Sequence, residues 1–344
     1  MSKKNKSIRV KLIVNPGAGN ASAAAKNLVL VTGYLKKNGL KADVARAKPK
    51  IKATPIARLA IKEGYKIVIV RGGDGTVEAV MRGMIGSKAH LGIIPTGMEN
   101  NIAKSLGIPE NLEEACVLIA SDKTRKLDVG QVKTSKGKRF YFFEMASVGL
   151  SSALYPDRPK AVGKDLPGIQ AATPAPIQEE TKPEVFLNLD DERIIKVETM
   201  LVMVSNTPVF GRKFLVAPTA SLQDGFLDIS VYQDFSKAEL LGYYAKMMEG
   251  GYSGYGKIQR YQARKLKVKS SPKQNVVADG IELGKGTITI KMRPGALRVI
   301  AARKSPGMEN PAKDEAIPVP AQDAVETLPV PDSPTMEETN QDKV

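Results

Sequence analysis

The chain has very little imidazole or thiol chemistry at its disposal. Its 344 residues include one cysteine, Cys116, one histidine, His90, and no tryptophan. One cysteine excludes an intrachain disulfide and a cysteine-rich metal centre. One histidine excludes a His-based zinc cluster and leaves room for only one member of a nucleophile–base pair. Cys116 falls in an apolar helical stretch and reads as core; His90 precedes a strand and reads as surface. No apolar run reaches the ~18 residues of a membrane-spanning helix. The basic start, Met1-Ser2-Lys3-Lys4-Asn5-Lys6, leads into a strand pattern without a secretory apolar region. A cytoplasmic protein is the expectation.

Acid is scarce over most of the chain. Residues 304–344 carry nine acidic and three basic side chains, a net of −6, so the overall +16 leaves +22 on residues 1–303. Such a body attracts anions: nucleotides, nucleic acid or an anionic membrane surface. Nucleic acid is disfavoured, because no RNP, zinc-finger or helix-turn-helix pattern is present. Two familiar phosphate-binding signatures are also missing. No Gly precedes a Lys-Ser/Thr pair at Walker A spacing, and after Gly17 and Gly19 the third position of a G-x-G-x-x-G is Ser22.

Present instead are three strands that each run into a polar, glycine-bearing turn. The first ends at Asn15-Pro16-Gly17-Ala18-Gly19. The second is Val68-Ile69-Val70-Arg71-Gly72-Gly73-Asp74-Gly75-Thr76, with a helical pattern beyond it. The third is Ile93-Ile94-Pro95-Thr96-Gly97-Met98-Glu99-Asn100-Asn101. Glycines allow close backbone approach to a ligand, and a helix N-terminus offers free N–H groups to phosphate. A carboxylate such as Asp74 at a phosphate site suggests a bridging Mg²⁺. The plain alternative is a tight turn with a solvated Asp. Three such turns together fit the carboxyl-end crevice of an open α/β sheet.

The rest of the chain divides by pattern. Strands at 8–14, 40–45, 66–70 and 91–94 alternate with helices at 22–37, 55–63, 77–85, 100–105 and 112–120, which argues a parallel α/β domain over residues 1–127. Thr54-Pro55 reads as an N-cap and N1 pair. Short runs at 126–134, 140–146, 185–189, 194–205, 226–232, 266–270, 275–278 and 287–292 read as an antiparallel β-sandwich over 128–292. Residues 293–303 are expected to rejoin the first domain. One helix, 237–249, interrupts the strands with Ser236 as its N-cap. Residues 155–183, with six prolines, read as a loop, and 304–344 as a disordered acidic tail.

Taken in order, these motifs resemble the catalytic domain of the diacylglycerol, sphingosine and ceramide kinases, in particular the bacterial soluble lipid kinases. The matching residues are Asn15-Pro16 with Gly19, Gly72-Gly73-Asp74-Gly75-Thr76, Ile94-Pro95-Thr96-Gly97 with Asn100 and Ala103, Asp224-Gly225-Phe226-Leu227-Asp228, and Ala278-Asp279-Gly280. The resemblance covers about residues 8–302. It implies ATP- and Mg²⁺-dependent phosphorylation of a lipid hydroxyl, with diacylglycerol the default acceptor. Asn15, Gly72, Gly73, Gly75, Thr76, Gly97 and Asn100 would meet the nucleotide, and Asp74 would act on Mg²⁺ directly or through water. Asp279 would be the catalytic base. Asp224, with backbone oxygens near Ser221 and Phe226, would hold a second, structural Mg²⁺.

Each role has a plain structural counterpart: Asn-Pro turn chemistry at Asn15, an Asp-Gly hairpin at Asp279, and a metal-free Asp-Gly turn at Asp224. This chain also departs from the family pattern. The glutamate after the GGDGT turn is Ala79, with Glu78 one place early, and the lysine after the first glycine turn is Asn20. Met98, Asn101 and Ile281 replace a Thr, an Asp and the Glu of Asp-Gly-Glu. A NAD kinase-like phosphotransferase and a non-catalytic lipid or nucleotide sensor therefore stay open. Transient attachment to an anionic membrane is expected, with basic residues of 257–269 contributing; homodimerisation is left open.

Overall fold

The structure, a computed structural model, describes residues 7–15, 21–47, 52–150, 182–210, 214–236, 239–240, 242–243 and 256–302. The acidic tail, nearly all of the proline-rich stretch and most of the 237–249 helix lie outside the described residues.

Four strands build a parallel sheet: β1 (Ile8–Val14), β2 (Leu40–Arg46), β3 (Ile67–Gly72) and β4 (His90–Pro95), in the order β2-β1-β3-β4. The centre strand β3 is buried along its whole length, which its β-branched run Ile67-Val68-Ile69-Val70 allows on both faces at once. Helices α1 (Ala21–Lys37) and α5 (Leu112–Ala120) cover one face through Val31, Leu35, Cys116 and Ile119. Helices α2 (Ala53–Lys62) and α3 (Asp74–Met84) cover the other through Ala57, Ala60, Val80 and Met84. A short helix, α4 (Asn101–Ser105), follows β4.

One capping expectation is corrected here. Helix α2 begins at Ala53 with Lys52 at its N-cap and no side-chain cap bond. Thr54 instead donates its hydroxyl to the Ala79 carbonyl on α3 at 2.7 Å, so a bond between helices wins over the local cap. Ser236 does form its cap: its hydroxyl accepts from Glu239 N at 3.1 Å and Glu239 accepts from Ser236 N at 2.8 Å. That reciprocal capping box is the main reason the Glu239 carboxyl falls to about 2, with Lys257 adding to it.

The second half is a β-sandwich. One layer runs β6 (Arg139–Phe142), β5 (Thr124–Thr134), β17 (Ile288–Ile300), β14 (Lys265–Ser271), β8 (Glu184–Leu189) and β9 (Arg193–Ser205). The other runs β16 (Ile281–Lys285), β15 (Asn275–Ala278), β7 (Met145–Gly149), β9, β12 (Leu227–Gln233) and β13 (Ile258–Ala263). A two-strand ribbon, β10 (Val209–Phe210) and β11 (Phe214–Leu215), stands apart. Alternate residues of both layers, among them Leu187, Val204, Ile229, Val268, Val276 and Ile290, form one apolar core.

Two long strands join these layers. Residues 193–198 of β9 pair with β8, and its residues 201–205 pair with β7, so one strand serves both sheets. Strand β17 pairs with β14 and β5 in the sandwich, then runs parallel to β4 at Arg298 and Val299. Strands β13 and β16 escape the sequence reading because Gln259, Arg260, Gln262, Glu282 and Lys285 blur the apolar alternation at the sheet edge.

At the carboxyl edge of the parallel sheet the second and third glycine turns touch backbone to backbone. A Cβ on Gly97 would sit 2.4 Å from the Gly73 Cα, and one on Gly73 would sit 3.0 Å from the Gly97 Cα. The two glycines are thus required by each other. Gly97→Ala is expected to destabilise the fold by about 2 kcal/mol, as overpacking against unyielding backbone does. Gly33→Ala, on an exposed helix position with nothing within 4 Å, should instead gain up to ~1 kcal/mol. Chemical denaturation of both variants checks the pair; equal effects would contradict the contact.

Candidate active site

The second and third turns interlock into one ledge, joined by Asn15; the rest of the first turn, residues 16–19, lies outside the described residues. Asn15 Nδ2, at the end of β1, donates to Thr76 Oγ1 of the second turn at 3.1 Å. Thr96 N donates to the Gly72 carbonyl at 3.1 Å, and Asp74 Oδ1 accepts from Ile102 N at 3.2 Å, linking the second to the third. Asp74 is the first residue of α3, half-buried, and its second carboxylate oxygen makes no hydrogen bond among the described residues. Asn100 sits in the left-handed region at φ 54°, which Asn tolerates better than most residues. Its amide closes its own turn, accepting from Gly97 N at 2.9 Å and donating to the Gly97 carbonyl at 3.1 Å. The structure thus brings Asn15, Gly72, Gly73, Asp74, Gly75, Thr76, Gly97 and Asn100 together. Gly73, Gly97 and Asn100 are in part occupied with each other.

Asp279 stands at the other end of α3, beside Arg82 of its last turn. With Gly280 it forms the two-residue turn of the β15–β16 hairpin, at φ 43° and 71°. Such a turn needs positive φ at both positions, which Asp-Gly supplies. Its carboxylate points into the protein and is fully buried. Oδ1 accepts from Glu144 N at 3.1 Å and Met145 N at 3.3 Å. Oδ2 accepts from Phe143 N at 2.9 Å and from Arg82 at 2.9 Å. Burial raises the Asp279 pKa above the ordinary carboxylate value, while Arg82 and the three amides pull in the opposite direction.

Arg82 is the residue that motif reading missed; Glu78, read there only as a displaced family glutamate, is its partner. They lie one helical turn apart on α3, and Arg82 Nη2 reaches Glu78 Oε2 at 3.2 Å as well as Asp279. Arg82 Nε donates to the Tyr141 carbonyl at 3.1 Å, and the guanidinium lies over the Phe140 and Phe143 rings. The i,i+4 spacing was legible as a helix-surface pair. What the sequence concealed is that the pair faces inward, against a hairpin nearly 200 residues away.

The Asp224 group lies in a different place. Asp224 is exposed and accepts from Phe226 N at 2.9 Å, and Ser221 accepts from Gln223 N at 3.2 Å. The loop is held from beneath by buried Asp128, which accepts from Gly225 N and Gly295 N, each at 2.7 Å. Among the described residues no group of three or more His, Cys, Asp or Glu is placed to hold a metal. Asp74 fits Mg²⁺ in one way: a single carboxylate oxygen is left open beside the glycine turns, and nucleotide phosphates and water would have to complete the shell. Asp224 likewise offers one carboxylate, and the rest of its shell would be backbone oxygen and water.

Comparison with known proteins agrees with both halves of the chain. Residues 9–132 match the diacylglycerol kinase catalytic domain, and residues 177–301 match the YegS C-terminal NAD kinase beta sandwich-like domain. A diacylglycerol kinase of Mycobacterium tuberculosis is 27% identical over 306 residues, 86% of this chain and 96% of that protein. A diacylglycerol kinase of Bacillus subtilis is 27% identical over 280 residues, 79% and 89% of the two chains. The crystal structure of a diacylglycerol kinase from Bacillus anthracis shares the fold, with a TM-score of 0.66 at 24% identity, over 86% of this chain and 97% of that one. With a diacylglycerol kinase catalytic domain leading into a YegS-type sandwich, the chain belongs to the diacylglycerol kinase and YegS-like family of lipid kinases.

Proposed function

We propose that this lipid kinase transfers the γ-phosphoryl group of ATP, with Mg²⁺, to the hydroxyl of diacylglycerol. The observation that carries the reading is the ledge itself: two glycine turns locked edge to edge and joined by Asn15, with one open carboxylate oxygen at the start of a helix. The backbone N–H of Gly75 at the start of α3 favours phosphate there, while Thr76 N already donates to the Gly73 carbonyl at 2.9 Å. Mg²⁺ held by Asp74 and the phosphates would offset charge on the transferred group. The acceptor hydroxyl attacks the γ-phosphorus, the bond to the β,γ-bridging oxygen breaks, ADP leaves, and the hydroxyl proton passes to Asp279 Oδ2. Both Asp279 oxygens carry two hydrogen bonds, so this transfer requires one donor to withdraw.

Peripheral attachment to an anionic membrane is supported by the outward face of one sandwich layer. Register places Arg139, Lys133, Lys291, Lys265, Lys267 and Lys269 on that face, across β6, β5, β17 and β14. The basic segment expected from sequence therefore splits. Lys267 and Lys269 stand exposed on this face, whereas Lys265 pairs with Asp191, Lys257 pairs with Glu239 and Arg264 lies over Phe226. Tyr252 and Tyr255 lie outside the described residues.

Radiolabelled ATP offered with diacylglycerol in mixed micelles, and separately with NAD, should label the lipid only. Label in NAD would transfer the assignment to a NAD kinase-like activity. Asp74→Asn should cut turnover by a hundredfold or more and weaken Mg²⁺-nucleotide binding. Asp279→Asn should cut turnover by a similar factor of about a hundred. It should also lower folding stability by ~3 kcal/mol, because an NH₂ would face donors on a buried site. Wild-type turnover in either variant would remove that residue from the mechanism. For the membrane, Lys267→Glu with Lys269→Glu should weaken sedimentation with phosphatidylglycerol vesicles by about tenfold or more. Binding that ignores both the substitutions and salt would contradict recruitment by this face.

A further inference from the structure

The buried cluster around Asp279 has one member that reaches the solvent side. Asp279 is closed off completely and Glu78 almost so, with side chains 0% and 2% exposed, whereas the Arg82 side chain is 16% exposed. The guanidinium is held on two of its three nitrogens. Nε is fixed to the Tyr141 carbonyl and Nη2 to Glu78 and Asp279, with Phe140 and Phe143 against its plane. Nη1 makes no hydrogen bond within the described residues. A planar fork anchored along one edge and open at the other is preorganised for an anionic oxygen.

Its direction suits the phosphate ledge. Arg82 lies eight residues after Asp74 on α3, about 12 Å along the helix axis. Helix side chains lean toward the helix N-terminus, so Arg82 leans back toward the glycine turn. The two carboxylates behind it keep the cation in place when nothing is bound. Any acceptor hydroxyl close enough to give its proton to Asp279 Oδ2 is also close to Arg82, which occupies that oxygen at 2.9 Å.

We propose that Arg82 contacts the transferred phosphoryl group, taking one of its oxygens on Nη1 and, as it does so, drawing Nη2 away from Asp279 Oδ2. The incoming phosphate then does two things at once: it gains a cation, and it vacates the one acceptor position that the proton needs. Proton acceptance is thereby tied to the presence of the γ-phosphate. This rests on the kinase reading given above and assigns a residue within the same site.

The test separates the γ-phosphate from the rest of the nucleotide and needs no turnover. Calorimetry would compare ADP with the β,γ-imido analogue of ATP, both with Mg²⁺, on the full chain and on Arg82→Lys and Arg82→Gln. The lysine variant keeps a charge beside both carboxylates and guards against loss of folding. Its single ammonium would be taken by Asp279 and Glu78, leaving nothing for phosphate. Both variants should bind ADP as the unmutated protein does and lose about tenfold or more of the preference for the imido analogue, the worth of one charge-assisted hydrogen bond. An unchanged preference, or an equal loss for both nucleotides, overturns the role of Arg82 and leaves the kinase reading standing. An unmutated protein that binds neither nucleotide overturns both.

Discussion

The ion pair between Arg82 and Asp279 is the constraint on which the arrangement of this molecule turns. It ties the helix that begins at the phosphate ledge to a hairpin of the sandwich. Asp279 is fully buried and Arg82 largely so, so the carboxylate cannot lose its cation cheaply. The same hairpin carboxylate also fixes the amides of Phe143, Glu144 and Met145 at the turn into β7, where the chain passes between the two layers. One side chain thus sets the position of α3, of β7 and of its own turn. As the proposed base, a group this heavily used would be unusual: buried and held by its donors, it would receive a proton only when one of them leaves.

The ledge is built on a second economy of contacts. Gly73 and Gly97 touch because neither has a side chain; Asp74 and Ile102 fasten the two turns across that contact, and Asn15 ties the end of β1 to Thr76. Glycine-rich turns are commonly read as room for a ligand. Here part of that room is filled by the protein itself, and the proposed phosphate site is left with the N-terminal edge of α3. The departures from the family pattern follow the same logic. Ala79 packs against the core below α3, while Glu78, one residue earlier, turns inward to hold Arg82. Met98 is left 84% exposed beside the ledge.

Much of this was legible in the sequence. The unbroken apolar run of 67–70 announced a central parallel strand, and alternation at 185–189 and 266–270 announced sandwich strands. The three turns could be placed because each follows an apolar strand and precedes a helix. What stayed hidden depends on contacts between distant residues. Arg82 and Glu78 look like any solvated i,i+4 pair until Asp279 is folded against them. Thr54 looks like a cap until Ala79 offers a better acceptor. Strand β13 gives too weak an alternation to identify, because its place beside β12, not its own pattern, makes it a strand. Asp128, which holds the Asp224 loop through two glycine amides, had no local signature.

The central claim, that Arg82 and Asp279 act as one unit joining helix to hairpin, is tested most directly by a double-mutant cycle in chemical denaturation. The four proteins are the unmutated chain, Arg82→Met, Asp279→Asn and the double variant. The account predicts a coupling energy of about 2 kcal/mol or more, with the double variant little worse than either single one. Additive losses, with coupling below ~0.5 kcal/mol, would contradict it.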